Sequence, residues 1–292
     1  DCILFFRLGD FYEMFDDDAR LAAKELDLVL TTRDRGKDNI EDRIPMCGVP
    51  YHSSESYIAR LLAKGYKVAI CEQMEDPALA KGLVLRDIVR VITPGTVMDS
   101  SMLVESKPNY ICSVYMDVSG AAACFAEIST GEFYVTAFED DAAEHLANEI
   151  GRYQPSEAIL NSGVEKEKEI LELFDDRFGC LRQFSDEGFN FFEAAARLCE
   201  QFGVQDVDSL GLGDHPAAVM AAGGLLSYLY STQKTSLKHI DKLEFYTSGR
   251  YMELSVQTRR NLELTETILT KERRGSLIWV LDKTNTPMGS RM

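Results

Sequence analysis

Three carboxylates in the middle of the chain are of the residue type that binds divalent cations. Asp117, Glu127 and Asp140 lie at or just beyond the ends of β-rich runs, and clustered carboxylates hold the metal ions of many nucleases. However, 48 of the 292 residues are Asp or Glu, so some must fall near strand ends by chance. We therefore expect no metal site here, and a metal-dependent nuclease stays an alternative hypothesis that requires these side chains to cluster.

Other spacings typical of chemistry are missing from the sequence. It contains neither the G-x-x-x-x-G-K-[ST] loop that holds nucleotide phosphates nor a G-x-G-x-x-G fingerprint. The four histidines are far apart, and the seven cysteines include no C-x-x-C pair, a pattern typical of reduced thiols in a cytosol. The acidic run at residues 16–18 favours a helix start over a cation site. Spacing alone thus identifies no catalytic or metal site.

Length, charge and hydropathy limit the class of protein. At about 100–200 residues per domain, 292 residues predict two domains or three, and an apolar fraction of 45% can fill a core in each. A formal charge of −17 argues against a simple basic nucleic-acid coat. No run approaches the ~20 apolar residues that cross a bilayer. Because the sequence starts inside a strand-like run without Met and stops without a tail, we expect a fragment of a longer protein.

The first hundred residues predict a small α/β unit. An apolar, strand-like run at residues 2–6 precedes a helix whose first turn is acidic, and a second helix is predicted between Ser53 and Gly65. Two further strands are predicted at residues 66–71 and 88–92.

A second unit follows a predicted linker at residues 99–107, where serine, charge and proline alternate without periodicity. Its β-rich runs are separated by Ser-Gly and Thr-Gly pairs, which predicts consecutive antiparallel hairpins followed by helices and one returning strand. The predicted strands are residues 110–118, 121–128, 132–138, 157–160 and 243–246, and the predicted helices are residues 140–151, 164–174, 190–201, 215–232 and the region around 259–268.

Several long motifs resemble the MutS family of DNA mismatch-recognition proteins. Residues 5–15 read FFRLGDFYEMF and contain the G-D-F-Y-E segment of that family. Further matching motifs follow in the family's order, so the resemblance covers essentially the whole chain. They are IPMCGVPYH at residues 44–52, VAICEQMEDP at 68–77, KGLVLRDIVRVITPGT at 81–96, TRRNLEL at 258–264 and LDKTNTPMGSRM at 281–292.

The resemblance implies an α/β fold class in three parts. Residues 1–98 would form a mismatch-binding domain with a small mixed sheet, and residues 99–107 a linker. Residues 108–236 would form a ribonuclease-H-like connector domain, and residues 237–292 the truncated start of a helical core domain. In the family, ATP and Mg²⁺ bind a later, C-terminal domain. We therefore expect neither enzyme activity nor a cofactor in this fragment of a bacterial, cytoplasmic, nucleoid-associated protein.

Within the resemblance, Phe11 and Glu13 match the mismatch-reading Phe-x-Glu. On extended backbone, side chains two residues apart share one face at about 6.6–6.8 Å. Phe11 would enter a mispaired base step from the minor groove as a wedge, and Glu13 would discriminate against paired duplex. The alternative is that Phe11 is an ordinary core phenylalanine.

Basic and aromatic residues near this motif are candidate contacts to the DNA backbone. The expected partners are double-stranded DNA with mispairs or small loops, MutL through the connector, and a second copy in the full-length protein. An alternative is that the isolated fragment is a protein-interaction module with little DNA binding of its own. The selected contact residues are Arg33, Arg35, Tyr51, His52, Lys81 and Arg86, with Lys37, Arg43 and Arg90 as further candidates.

Overall fold

A computed structural model describes most of the chain and divides it into two compact units. The first unit comprises residues 1–97 and 230–236, and the second comprises residues 98–229 and 237–292. The domain limits proposed from the sequence stay predictions. The described residues are 2–32, 43–75, 82–99, 101–103, 107–118, 120–234, 236–247, 254–286 and 289, without the side chains of residues 176–178.

The first unit is a six-stranded sheet with two helices. The strands are β1 (Ile3–Leu8), β2 (Phe11–Phe15), β3 (Thr31–Thr32), β4 (Pro45–Pro50), β5 (Val68–Gln73) and β6 (Arg86–Ile92), and the helices are α1 (Asp16–Leu26) and α2 (Ser54–Leu62). The strand order is β3-β4-β2-β1-β5-β6, and only the β1–β5 pair is parallel.

Alternating side chains determine which face of this sheet is covered. Ile3 and Phe5 of β1 are buried together with Tyr12 and Met14 of β2, and the buried stripe of α1 packs on this side. The intervening residues lie on the opposite side, which we call the outer face. Asp18, in the acidic first turn of α1, accepts a hydrogen bond from the Leu4 amide at 2.9 Å. The acidic run therefore starts a helix, as predicted, and ties it to β1.

The second unit contains a second six-stranded sheet in the order β11-β10-β7-β8-β9-β12. Strands β7, β8 and β9 form the predicted antiparallel hairpins, while β10, β11 and β12 pair in parallel. The strands are β7 (Tyr110–Asp117), β8 (Gly120–Glu127), β9 (Glu132–Phe138), β10 (Glu157–Leu160), β11 (Leu181–Phe184) and β12 (Glu244–Phe245). The helices are α3 (Ala142–Tyr153), α4 (Lys168–Glu172), α5 (Phe191–Phe202), α6 (Pro216–Gln233), of which residues 230–233 are assigned to the first unit, α7 (Val256–Asn261) and α8 (Leu277–Leu281).

Helices cover both faces of this second sheet. Ala122 and Cys124 of β8 belong to the core that includes α5 and α6, whereas their neighbours Ala123 and Phe125 belong to the core that includes α3 and α4. A strand buried on both faces reads as a near-continuous apolar run, as GAAACFA at residues 120–126 does. Both units are α/β with mixed sheets, which confirms the predicted fold class.

Two of the predicted helices are shorter than expected. The helix predicted around residues 259–268 ends at Asn261, and the chain then turns through Glu263, whose φ is 48°. A residue in the left-handed region cannot continue a right-handed helix. The helix predicted at residues 164–174 is α4 alone, flanked by a 3₁₀ turn and a π-helical turn. Within the described ranges, no helix combines the length and apolar character needed to cross a membrane.

Candidate nucleic-acid interface

A two-residue turn presents the Phe-x-Glu segment. Gly9 and Asp10 connect β1 to β2, with Leu8 opposite Phe11 in the ladder. Gly9 has φ +58°, and Asp10 is not in the left-handed region. A glycine with positive φ at the first central position is typical of the tight hairpin turns that match the twist of paired strands. Phe11 is therefore the first strand residue after the turn.

Phe11 and Glu13 share the outer face of β2. Tyr12 and Met14, which alternate with them, are 6% and 0% exposed and belong to the core, whereas Phe11 is 48% exposed. The strand geometry places the two side chains about 6.6–6.8 Å apart. The structure thus meets the condition on which the sequence hypothesis depends, and it excludes a fully buried, core role for Phe11.

Glu13 lies between two positions that carry no charge. Its cross-strand partner on β1 is Phe6, and its partner on β4 is Gly48. A Cβ atom on Gly48 would lie 3.5 Å from the Cγ of Glu13, which is an ordinary van der Waals contact, and 3.2 Å from the carbonyl oxygen of Tyr12. Neither a hydrogen bond nor an ion pair joins the Glu13 carboxylate to a residue in the described part of the chain. A carboxylate in these surroundings is available to a ligand.

Arg86 lies on the same face but already has protein partners. Its guanidinium carbon is 5.0 Å from the centroid of the Phe6 ring. Its Nε donates to the carbonyl oxygen of Arg7 at 3.1 Å, and Nη1 donates to the carbonyl oxygen of Val84 at 2.9 Å. Arg86 therefore joins the start of β6 to the end of β1. It also carries a positive charge near Phe6, the neighbour of Glu13 on β1.

Tyr51 and His52 follow β4 at the same end of the sheet as the turn. The Tyr51 amide donates to the carbonyl oxygen of Asp10 at 3.0 Å. The Tyr51 ring lies against Arg7, with 3.6 Å between its centroid and the guanidinium carbon. The His52 ring is exposed and packs edge-on to Tyr51 at 6.0 Å. The structure therefore brings both predicted residues beside Phe11's turn.

Two residues that the sequence analysis missed complete this end of the sheet. Arg7 Nη1 lies 3.7 Å from Glu72 Oε1, and the same carboxylate accepts a hydrogen bond from the Tyr12 hydroxyl. Burial, with Glu72 beside it, raises the pKa of Tyr12 to about 12. Tyr12 is thus protonated, and remains a donor, at neutral pH. Nothing in a single sequence links positions 7 and 72, which meet because β1 and β5 pair in parallel.

The structure describes only some of the other residues predicted to contact the DNA backbone. Arg33, Arg35, Lys37 and Lys81 lie outside the described residues. Arg90 donates from Nη2 to the carbonyl oxygen of Thr96 at 2.9 Å, within the first unit.

The three carboxylates considered for a metal site do not come together. Asp117 lies opposite Gly120 at one end of the β7–β8 hairpin, and Glu127 lies opposite Tyr110 at the other end, roughly 24 Å away at 3.4 Å per residue. Glu127 instead closes the turn after β8 by accepting hydrogen bonds from Ser129 and the Thr130 amide. Among the described residues, no three His, Cys, Asp or Glu side chains come together as possible ligands of one metal ion. A nuclease site that uses all three carboxylates is therefore excluded.

Comparison with known proteins covers the whole chain. Residues 1–101 match the family model MutS domain I, residues 109–241 match MutS domain II, and residues 257–292 match MutS domain III. The chain is 49% identical to the DNA mismatch repair protein MutS of Ruminiclostridium cellulolyticum, 48% to that of Clostridium tetani and 46% to that of Lachnoclostridium phytofermentans. Each alignment covers 100% of this chain but only 33%, 32% and 31% of the respective relative, so the chain spans about a third of their length. The chain belongs to the MutS family and carries its domains I and II together with a stretch of domain III.

Proposed function

We propose that the chain is the mismatch-reading part of a DNA mismatch repair protein, with Phe11 as the wedge and Glu13 as the discriminator. The observation that carries the proposal is the placement of both side chains on the outer face of one strand, directly after a tight turn. The relatives are DNA mismatch repair proteins MutS, and this likeness supports the same function. In the experiments below, "full-length protein" means the longer mismatch repair protein of which, under this proposal, the chain is a part.

An exposed phenylalanine is suited to sensing weak base steps. A flat apolar ring that enters a step from the minor groove must partly unstack it, at a cost of about a few kcal/mol. A mispaired step has already lost some pairing and stacking, so the same insertion costs less there. The protein would therefore read how readily the duplex deforms and not the identity of a particular base pair.

The carboxylate adds selectivity against ordinary duplex. Ionised Glu13 repels phosphates and can only accept hydrogen bonds, which penalises binding to paired DNA. Beside a base donor that a mispair exposes, or when protonated, it can form a hydrogen bond. Phe6 and Gly48, its two strand neighbours, provide no charge that would neutralise the carboxylate.

Charge supports low affinity for ordinary duplex. Residues 1–100 hold 13 basic and 18 acidic side chains, so general attraction to phosphates is weak. We propose instead that a few basic side chains position the DNA. These are Arg33, Arg35, His52, Lys81 and Arg86.

The resemblance also suggests partners for the longer protein. We propose that domain II docks MutL and that the full-length protein forms a dimer. The formal charge of −12 over residues 101–292 favours a protein partner over nucleic acid on this part of the chain. Binding of purified MutL to the isolated chain tests this, and absence of binding at micromolar concentrations would reject the docking role.

A binding comparison tests the proposed function. At one stated salt concentration, we expect the full-length protein to prefer a duplex with a single mispair over the matched paired duplex by about tenfold or more, which is about 1.4 kcal/mol. The isolated chain should bind both duplexes weakly, because of its charge. Equal affinity of the full-length protein for the two duplexes would refute the proposal.

Replacing Glu13 tests its role as discriminator. We expect Glu13→Ala to raise affinity for paired duplex about fivefold, the factor for roughly 1 kcal/mol of phosphate repulsion, and to change affinity for the mispaired duplex less. Fluorescence anisotropy with both duplexes gives the two values. Asp17→Ala is the matched control, because it removes one exposed acidic side chain from α1 of the same unit. An equal gain in the control would assign the effect to net charge alone.

A further inference from the structure

The turn that presents Phe11 is held by three protein donors. The carbonyl oxygen of Arg7 accepts from Arg86 Nε at 3.1 Å, and that of Asp10 accepts from the Tyr51 amide at 3.0 Å. Between them, the carbonyl oxygen of Gly9 accepts from Nε of Arg7 itself. A hairpin end held at three points within four residues has little freedom to displace the residue that follows it.

Arg7 is the centre of these contacts. Its guanidinium lies beneath the Tyr51 ring at 3.6 Å and near the Tyr12 ring at 5.5 Å, and it pairs with Glu72 at 3.7 Å. Only 17% of its side chain is exposed. A guanidinium that stacks on a ring and donates through Nε at the same time needs both its planar shape and its fixed donors. Lysine has neither.

We infer that Arg7 is a positioning residue for mismatch recognition, and that Tyr51 acts on DNA through Arg7 and not by direct contact. This inference rests on the proposed function of Phe11. Tyr51 covers Arg7, Arg7 holds Gly9, and Gly9 determines where Phe11 begins its strand. The aromatic ring of Tyr51, and not its hydroxyl group, is the part that this role requires.

A double-mutant cycle in the full-length protein tests the inference. The measured quantity is the ratio of the dissociation constants for paired and mispaired duplex, which we call the discrimination ratio. We expect Arg7→Lys and Tyr51→Leu each to lower this ratio about tenfold, as the loss of a desolvated cation–π contact would. Tyr51→Phe keeps the ring and should keep the wild-type ratio. The double variant Arg7→Lys/Tyr51→Leu should be no worse than either single variant, because the two residues act as one unit.

A spectroscopic readout separates positioning from general stability. A 2-aminopurine placed beside the mispair fluoresces when it is unstacked, and we expect this signal to fall in Arg7→Lys while affinity for paired duplex, which depends on charge, stays within twofold. Arg20→Lys is the matched control, because Arg20 is an exposed arginine on α1 of the same unit. Circular dichroism melts verify that each variant is folded at the assay temperature.

Three results would overturn the inference. A wild-type discrimination ratio in Arg7→Lys would show that Arg7 positions nothing that matters for recognition. A loss in Tyr51→Phe as large as in Tyr51→Leu would show that the hydroxyl contacts DNA directly. A loss in the double variant equal to the product of the two single losses would show that Arg7 and Tyr51 act independently. In each case the wild-type protein still discriminates, whereas failure of the proposed function would show as a wild-type protein without preference.

Discussion

Phe11→Ala is expected to remove most of the preference for a mispair. The ring is 48% exposed on the outer face, so its deletion leaves no buried cavity and the fold should be unaffected. Stacking of one aromatic ring on a base contributes about 1–3 kcal/mol, which corresponds to a loss of about 5- to 150-fold in affinity for the mispaired duplex. Affinity for paired duplex should change little. At a paired step, the free energy needed to unstack the bases is about as large as the free energy gained when the ring stacks.

The control for this variant is another exposed phenylalanine. Phe192 on α5 is 81% exposed, so Phe192→Ala removes the same atoms from the surface of the second unit. The measurement is equilibrium binding of both duplexes by the full-length protein at one salt concentration. Unchanged discrimination in Phe11→Ala, or an equal loss in Phe192→Ala, would reject the wedge assignment.

Gly223→Ala is expected to destabilise the second unit, although alanine is the better helix former. In an open helix the change would stabilise by about 1 kcal/mol. In α6, a Cβ at position 223 would lie 2.2 Å from the Cβ and 2.5 Å from the Cα of Ala194 on α5. The two helices must then move apart, and overpacking of this kind costs about 1–3 kcal/mol. Urea denaturation followed by circular dichroism gives the sign and the size.

A compensating change tests that explanation. Ala194→Gly removes the methyl group that the new side chain meets, so the double variant Ala194→Gly/Gly223→Ala should recover part of the lost stability. Recovery should be incomplete, because the Cα of Ala194 also lies within the clash distance. If Gly223→Ala alone raises the urea midpoint, the close approach of α5 and α6 does not require a glycine at position 223.

Local pattern was sufficient to predict most elements of the second unit. The strands β7, β8 and β9 follow from alternation and from glycine-containing turns, and β10 has the predicted bounds. The sequence does not predict strand β4, because Pro45 and Pro50 mark its two ends and are typical of a loop. The helix expected near residue 268 failed because Glu263 adopts a left-handed conformation that apolar spacing does not reveal.

The candidate site was predictable only in part. A family motif named Phe11 and Glu13, and a period of two places them on one face, which the structure shows. The contacts of Arg7 with Tyr51 and Glu72 could not be predicted from the sequence. Residues 7, 51 and 72 meet only through strand pairings between distant segments. The motif alone suggests Tyr51 as a DNA contact, whereas its stacking on Arg7 is visible only in three dimensions.

The filled carbonyls of the hairpin turn have a consequence for hydration. The oxygens of Arg7, Gly9 and Asp10 already accept protein hydrogen bonds, so this stretch of backbone needs fewer water molecules than an open turn would. A ligand that covers these three oxygens leaves each of them with the hydrogen bond that it accepts from the protein. Desolvating these three carbonyl oxygens on ligand binding is therefore expected to cost less enthalpy than it would in an open turn.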